Sequence, residues 1–419
     1  MKKTMKALLD ELFGTDAKKA NAANDALAKR GVTTAADANA VLDALSRAVT
    51  PVEGVYFSAK GALLAALQAW EGDAVRAVLR ERGTQSLINA YPTLDDDDKA
   101  FALKILGTFG TRESLGFVAE TIKAKDGPKD YWVSVALGAI DAKTRNADVL
   151  FPALTPALGY KDFRAVAVLD LANRLALADN LAIHPGAEHL ERLRGFLSAK
   201  KSSEYSHAVS AALALAFVPG KAAEKLLLGA EAHPDTNVRL EAMFALARRG
   251  HPGSDDKLVQ AALDPATSEL AVAYLEELGK GHLVPEQVAE PVFAATAQMI
   301  SWLAHPMEFG RAPEAIELWD RRTIHWPPTD DERELFLFRF SYPKTKTAAA
   351  STGVGLVGSV TFSLAGDARP DPRGTPEDAL ARHCVWELEH NEDPRAGDGS
   401  LEVGRRLLGF KQTRKKRER

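Results

Sequence analysis

Six alanine-rich helical segments recur along this chain, and no other feature restricts its fold as strongly. They read DDKAFALKILGTFG, YWVSVALGAIDA, FRAVAVLDLANRLALA, SHAVSAALALAFVPG, NVRLEAMFALARRG and TSELAVAYLEELGKG. An acidic residue stands near the start of each: Asp95, Asp130, Asp162, Glu204, Asp235 and Asp264, at successive spacings of 35, 32, 42, 31 and 29 residues. A first helix precedes each of these second helices. A helix–turn–helix unit of that length cannot bury its apolar stripe alone, so such units stack on their neighbours. The carboxylate accepts hydrogen bonds from the free N–H groups of a helix start and suits the positive end of its dipole. Gly110, Gly220 and Gly250 end helices at little backbone cost.

The stretch Pro234-Asp235-Thr236-Asn237-Val238-Arg239, followed by Ala242, Ala245 and Leu246, resembles the second helix of a HEAT repeat. The resemblance spans roughly residues 84–281 and is degenerate outside that one unit. It implies a curved superhelix whose second helices line the concave face, and it implies no particular activity. The expected fold is therefore mostly α, an α-solenoid of HEAT-like helix pairs with a small C-terminal α+β domain.

Other segments set the expected boundaries. Residues 1–83 read as helices continuous with the stack. There, Thr33-Thr34 can cap a helix bearing Ala38, Val41, Leu42, Leu45 and Val49. The opening MKKTMKALLDELFG has the look of an export signal, but Asp10 and Glu11 interrupt its apolar run, so it reads as an amphipathic helix. The repeats occupy 84–281. Residues 282–325 are expected to be helices that link or cap the stack, including AATAQMISWLA and PEAIELWDRR. A small α+β domain follows over 326–410. It begins where Trp326-Pro327-Pro328 breaks the helical pattern. ELFLFRFSY places Phe336, Phe338, Phe340 and Tyr342 at period two, a strand. GLVGSVTFSLA reads as a second strand, and Thr375-Pro376 opens a last helix through HCVWELEH. The end, 411–419, reads as a disordered basic tail.

The net charge of −4 lacks the basic footprint of a dedicated nucleic-acid binder, which leaves such contact to the tail alone. The single cysteine, Cys384, excludes an internal disulfide and fits a cytoplasmic protein. No apolar run approaches the roughly 18 residues that a membrane span requires.

Several motifs bear on chemistry. Gly353-Val-Gly355-Leu-Val-Gly358 matches a nucleotide-binding glycine pattern. That chemistry needs a strand before the glycines and a helix N-terminus after them. Here a strand is expected after them, so a turn entering that strand is the better reading. His383, Glu387 and His390 share one helix face at i, i+4 and i+7, a spacing that could offer zinc ligands. A solvated polar face is the simpler account. Asp170, inside an apolar run, has Arg174 one turn on as an ion-pair partner. No cofactor is called for.

The function expected from these features is a non-enzymatic protein–protein interaction scaffold. Arg239, Arg248, Trp319 and Trp326 are its candidate partner contacts. Arg239, Arg248 and Arg249 would put positive charge around one repeat and Glu269, Glu276 and Glu277 negative charge around the next, and such a mixed surface suits a protein partner better than a phosphate backbone. The alternative carried by the HEAT resemblance is an enzyme, DNA glycosylase-like or bilin lyase-like.

Overall fold

The computed structural model describes residues 3–151, 153–305, 307–344, 349–359 and 371–411. It is mostly helical, with one three-stranded antiparallel sheet near the C-terminus. Its contacts divide the chain into two units, Met1–Arg249 and Gly250–Arg419.

The first unit contains α1 (Met5–Leu12), α2 (Ala17–Arg30), α3 (Ala35–Ala44), α4 (Ala59–Gln68), α5 (Asp73–Val78), α6 (Thr84–Ala90), α7 (Asp96–Phe109), α8 (Arg112–Lys123), α9 (Trp132–Gly138), α10 (Ala147–Leu150), α11 (Arg164–Leu177), α12 (Leu190–Leu197), α13 (Tyr205–Phe217), α14 (Lys221–Ala230) and α15 (Thr236–Arg248). The opening segment is indeed an amphipathic helix, with Met5, Leu8, Leu9 and Leu12 buried. Thr34 caps α3 by accepting the Asp37 N–H.

These helices form two rows. In one row α2, α4, α7, α9, α11, α13 and α15 touch in succession. In the other, α1 meets α3, α3 meets α5 and α6, α6 meets α8, and α8 meets α10. Two 3-10 turns, Thr155–Gly159 and Pro185–His189, carry that second row on to α12, which touches α14. One continuous core runs between the rows, from Met5 to Leu246. It is rich in alanine, which lets helices approach closely. Ala102, Ala136, Ala172, Ala211 and Ala245 are all fully buried.

Polar side chains tie successive members together by closing helix ends. Asn146 Nδ2 donates to the Gly110 carbonyl at 2.8 Å. Arg174 donates to the Leu137 and Ile140 carbonyls at 2.7 and 3.1 Å. Arg164 reaches the Ile122 and Ala124 carbonyls, and Arg249 those of Leu215, Val218 and Gly220. The paired residues lie between 29 and 42 positions apart. That is the same interval as the acidic residues. The last carbonyls of a helix have no partner within it, so each such contact satisfies groups that burial would otherwise leave costly.

The six acidic residues divide in role. Asp95 and Asp235 are true N-caps, accepting from the Asp98 and Val238 N–H groups at 2.8 and 3.1 Å. Asp130, Asp162 and Asp264 accept instead from the N–H two residues on, in the turn that leads into the helix. Glu204 makes no side-chain cap.

The second unit holds α16 (Ser254–Ala262), α17 (Ser268–Glu277), α18 (Pro291–Leu303), β1 (Ala315–Trp326), β2 (Asp331–Tyr342), β3 (Ser351–Val357), α19 (Pro376–His390) and α20 (Leu401–Leu407). The strand order is β1-β2-β3. Helix α18 touches α17 and also covers the sheet, so the α16–α17 pair groups with the sheet. On β2, Phe336, Phe338, Phe340 and Tyr342 pack with Ala295, Met299 and Leu303 of α18. Leu335 and Leu337 face the other way, with Val354 and Leu356 of β3, onto Leu380, Cys384 and Leu388 of α19. The sheet is thus a middle layer between α18 and α19.

Two sequence expectations are corrected here. PEAIELWDRR is not a helix. Most of it is strand β1, paired from Ala315 opposite Ser341 to Trp326 opposite Asp331. Pairing with the strongly apolar β2 outweighs the local helical preference. The sheet therefore begins at residue 315 rather than after 326, and Trp326-Pro327-Pro328 forms the β1–β2 turn. There the Trp326 carbonyl accepts from Asp330 N at 2.9 Å, and Asp330 adopts a φ of 58°. The glycine motif is not a turn entering a strand. Gly353 and Gly355 lie within β3 itself, and the remainder of the expected second strand, 360–365, lies outside the described residues.

Candidate functional site

A groove of about 690 Å³ opens on the first unit, between the start of α7, the second half of α8 and the start of α9. Its floor is aromatic. The Tyr91 ring meets Phe117 edge-on, with centroids 5.2 Å apart. Trp132 stacks on Tyr131 at 4.8 Å and leans on Phe101 at 5.9 Å. Gly127 lines the groove and closes the loop onto α8. A Cβ there would stand 2.2 Å from the Thr121 carbonyl oxygen, so only glycine fits.

The rim is acidic for local reasons. Asp95 accepts the Asp98 N–H, and Asp96–Asp98 place negative charge at the positive end of α7. Asp98 turns inward and accepts the Ser58 hydroxyl at 2.5 Å. Burial raises its pKa, the charges of Asp95 and Asp97 add to that, and the Ser58 bond opposes it. Asp96 and Asp97 turn outward and are exposed. With Glu120, Asp126 and Asp130 they place five carboxylates around the groove, against Lys99 as the one cation among its described lining residues. Lys99 lies 3.3 Å from Asp96, and Lys123 lies 3.1 Å from Glu120. Asp97 and Asp126 have no hydrogen-bond or ion-pair partner among the described residues. Burial, reinforced by the charge of Asp96, pushes the Tyr91 phenol up to about 12, which keeps it neutral.

The residues singled out in the sequence do not gather at one place. Arg239 folds back on its own helix start, donating to the His233 and Pro234 carbonyls at 2.8 and 3.0 Å and to Thr236 Oγ1. Arg248 lies over the Phe217 ring, 5.0 Å from its centroid, and 3.9 Å from Asp179. Trp319 sits at a bulge in β1 with the Arg339 guanidinium 3.8 Å above its ring. Trp326 is fully buried and offers no surface; its indole Nε1 donates to Glu387 Oε2 at 2.6 Å.

The histidine constellation on α19 is also split. His383 and Glu387 are buried, whereas His390 is exposed and stacks on Trp386 at 5.4 Å. So this is not a solvated polar face. Burial lowers the His383 pKa to about 3. No group of three His, Cys, Asp or Glu residues able to hold a metal ion occurs among the described residues. The glycine motif serves packing. A Cβ on Gly355 would lie 2.6 Å from Met299 Cε, and Gly358 has a φ of 101° with the Glu334 carbonyl against it.

Asp170 and Arg174 do not form the expected ion pair, because the Arg174 guanidinium goes to the carbonyls at the end of α9. Asp170 lies on an exposed position of α11; partial desolvation raises its carboxyl, and the Arg174 charge pulls the other way. Residues 412–419 of the basic tail lie outside the described residues. No described helix is long and apolar enough to cross a membrane.

No protein-family model matches the chain, and a search of curated proteins finds no significant match. Sequence reasoning missed the groove because its parts come from three separate segments. The one local signal was the acidic run Asp95–Asp98 beside Tyr91 and Phe101.

Proposed function

We propose that this protein is a non-enzymatic, protein-binding scaffold built on a HEAT-like stack of helix pairs. The observation that carries the reading is the ladder of side-chain-to-carbonyl contacts, from Asn146–Gly110 to Arg249–Gly220, repeating at 29 to 42 residues. A repeat array presents an extended surface and is stabilised through neighbour contacts rather than around one central site. The aromatic groove fits this better than an enzyme reading. Its rim carboxylates are solvent-exposed, whereas a general acid is tuned by desolvation. The HEAT-like identity of the stack rests on the Pro234–Leu246 pattern together with the two rows of successive contacts.

The test is cross-linking of the full-length tagged protein in its native cells, followed by peptide mapping. The expected result is a reproducible partner protein whose cross-links fall on the two-row unit. Release of a base from alkylated duplex DNA by the purified protein would instead establish the glycosylase alternative and overturn the scaffold.

A further inference from the structure

We propose that the groove between α7, α8 and α9 binds a lysine- or arginine-rich peptide segment of a partner protein, an inference that rests on the scaffold reading. Two independent features converge there. The first is an apolar floor that a soluble surface has no reason to keep open: Tyr91, Phe117 and Trp132 line a space of about 690 Å³. The face of an aromatic ring, and of tryptophan above all, attracts an ammonium or guanidinium group. The second is charge. Five carboxylates surround that floor; Lys99 and Lys123 pair with Asp96 and Glu120, and Asp97 and Asp126 have no partner of their own among the described residues. Such a rim steers cations toward the aromatic floor and penalises acidic segments.

The occupant follows from the same observations. A polyanion such as nucleic acid carries the wrong sign. A single metal ion is not suited, because the carboxylates do not converge into a metal-holding group among the described residues. The acids are spread over α7, α8 and the loop before α9, so they match several cationic groups spaced along an extended chain. The long side chains of lysine and arginine lay their methylene stems on apolar surface while their charged ends reach a polar rim.

The experiment measures anisotropy of a fluorescein-labelled peptide of alternating lysine and glycine, titrated with the full-length protein. A peptide of alternating glutamate and glycine serves as the reference. The lysine peptide is expected to bind and the glutamate peptide not. The double variant Asp97→Lys, Asp126→Lys changes two exposed side chains and is expected to weaken binding about tenfold or more. The variant Glu53→Lys, Glu188→Lys makes the same change in net charge away from the groove, and is expected to change binding less than about twofold. Trp132→Ala is expected to weaken binding without any change in charge; its fold is checked by circular dichroism, and the charge variants stand alone if it unfolds.

Equal losses in the two double variants would show diffuse attraction to an acidic protein and overturn the proposal. So would equal binding of both peptides, or binding of neither. If the groove variant keeps the same cross-linked partners in cells, the scaffold reading stands and this inference fails.

Discussion

The indole N–H of Trp326 donates to the carboxyl of Glu387 across 2.6 Å, inside a core where both residues are at most 1% exposed. This contact ties the end of β1 to the middle of α19, 61 residues later. A buried carboxyl that loses a hydrogen-bond donor loses part of what offsets its desolvation. Trp326→Phe is therefore expected to destabilise the protein by about 2–3 kcal/mol in urea melting. A Trp326→Phe variant that melts like the parent would show that the hydrogen bond contributes nothing.

Asp235 accepts the Val238 N–H at 3.1 Å and so caps α15. Asp235→Ala is expected to cost about 1 kcal/mol, the ordinary value of an N-cap. Asp235→Asn should cost much less, since it keeps the acceptor. Equal melting curves for parent and alanine variant would remove the capping role.

Arg249 closes the end of α13 through the Leu215, Val218 and Gly220 carbonyls. Arg249→Met keeps the aliphatic stem and removes the donors. The expected loss is about 1.5–3 kcal/mol, the range for hydrogen bonds to a charged group. Lysine at this position should restore only part of it, having no planar fork to span several carbonyls. Full stability in the methionine variant would mean that water replaces the guanidinium without penalty.

Most of the helical organisation was legible because it is written locally. Each second helix carries an apolar stripe, an acidic start and a breaker, and all six segments are helices in the structure. Strand β1 was not legible, and the reason lies in one residue. The register shifts between Leu318 and Asp320, leaving Trp319 as a bulge. The shift breaks the period-two alternation: Ile316 packs on the α18 side of the sheet, whereas Trp319 and Ile324 pack on the α19 side. The aromatic alternation of β2 suffers no such break, and that strand was read correctly. The groove stayed hidden for a different reason: which of Asp95 to Asp98 turn inward depends on Ser58, 40 residues before Asp98.

Two buried histidines predict acid sensitivity. His184 Nδ1 accepts the Gly186 N–H at 3.1 Å, so its proton sits on Nε2, 3.0 Å from Asn173 Oδ1. Burial lowers its pKa from 6.5 to about 4, and that of His383 to about 3. Both groups are held neutral in the fold, so their contribution is fully present above pH 6.5. It is lost as pH falls from there toward the folded values, since the unfolded chain takes up the protons first. Each histidine should steepen the loss by about 1.4 kcal/mol per pH unit in that window. His383→Leu fills the same apolar surroundings without titrating, and is expected to flatten the stability profile between pH 4 and 6 relative to the parent. An unchanged slope would show that His383 takes up its proton equally in the folded and unfolded chains.

Helix α18 serves two neighbours. It touches α17, the last of the recurring alanine-rich helices, and it buries Ala295, Met299 and Leu303 against the aromatic face of β2. A chain ended after Ala304 keeps α18 and removes the sheet, leaving that face uncovered. Burying one such large side chain is worth about 1.5–3 kcal/mol, so exposing Met299 and Leu303 together should lower the melting temperature and promote association. Removal of 412–419 is the matched control, because that segment contains no apolar side chain. It is expected to leave both melting and monomer content unchanged. The comparison is made by calorimetry and size-exclusion chromatography on the two shortened chains and the parent. If the chain ended after Ala304 stays monomeric with the melt of the parent, the sheet does not stabilise α18, and its role as a cover for that helix is wrong.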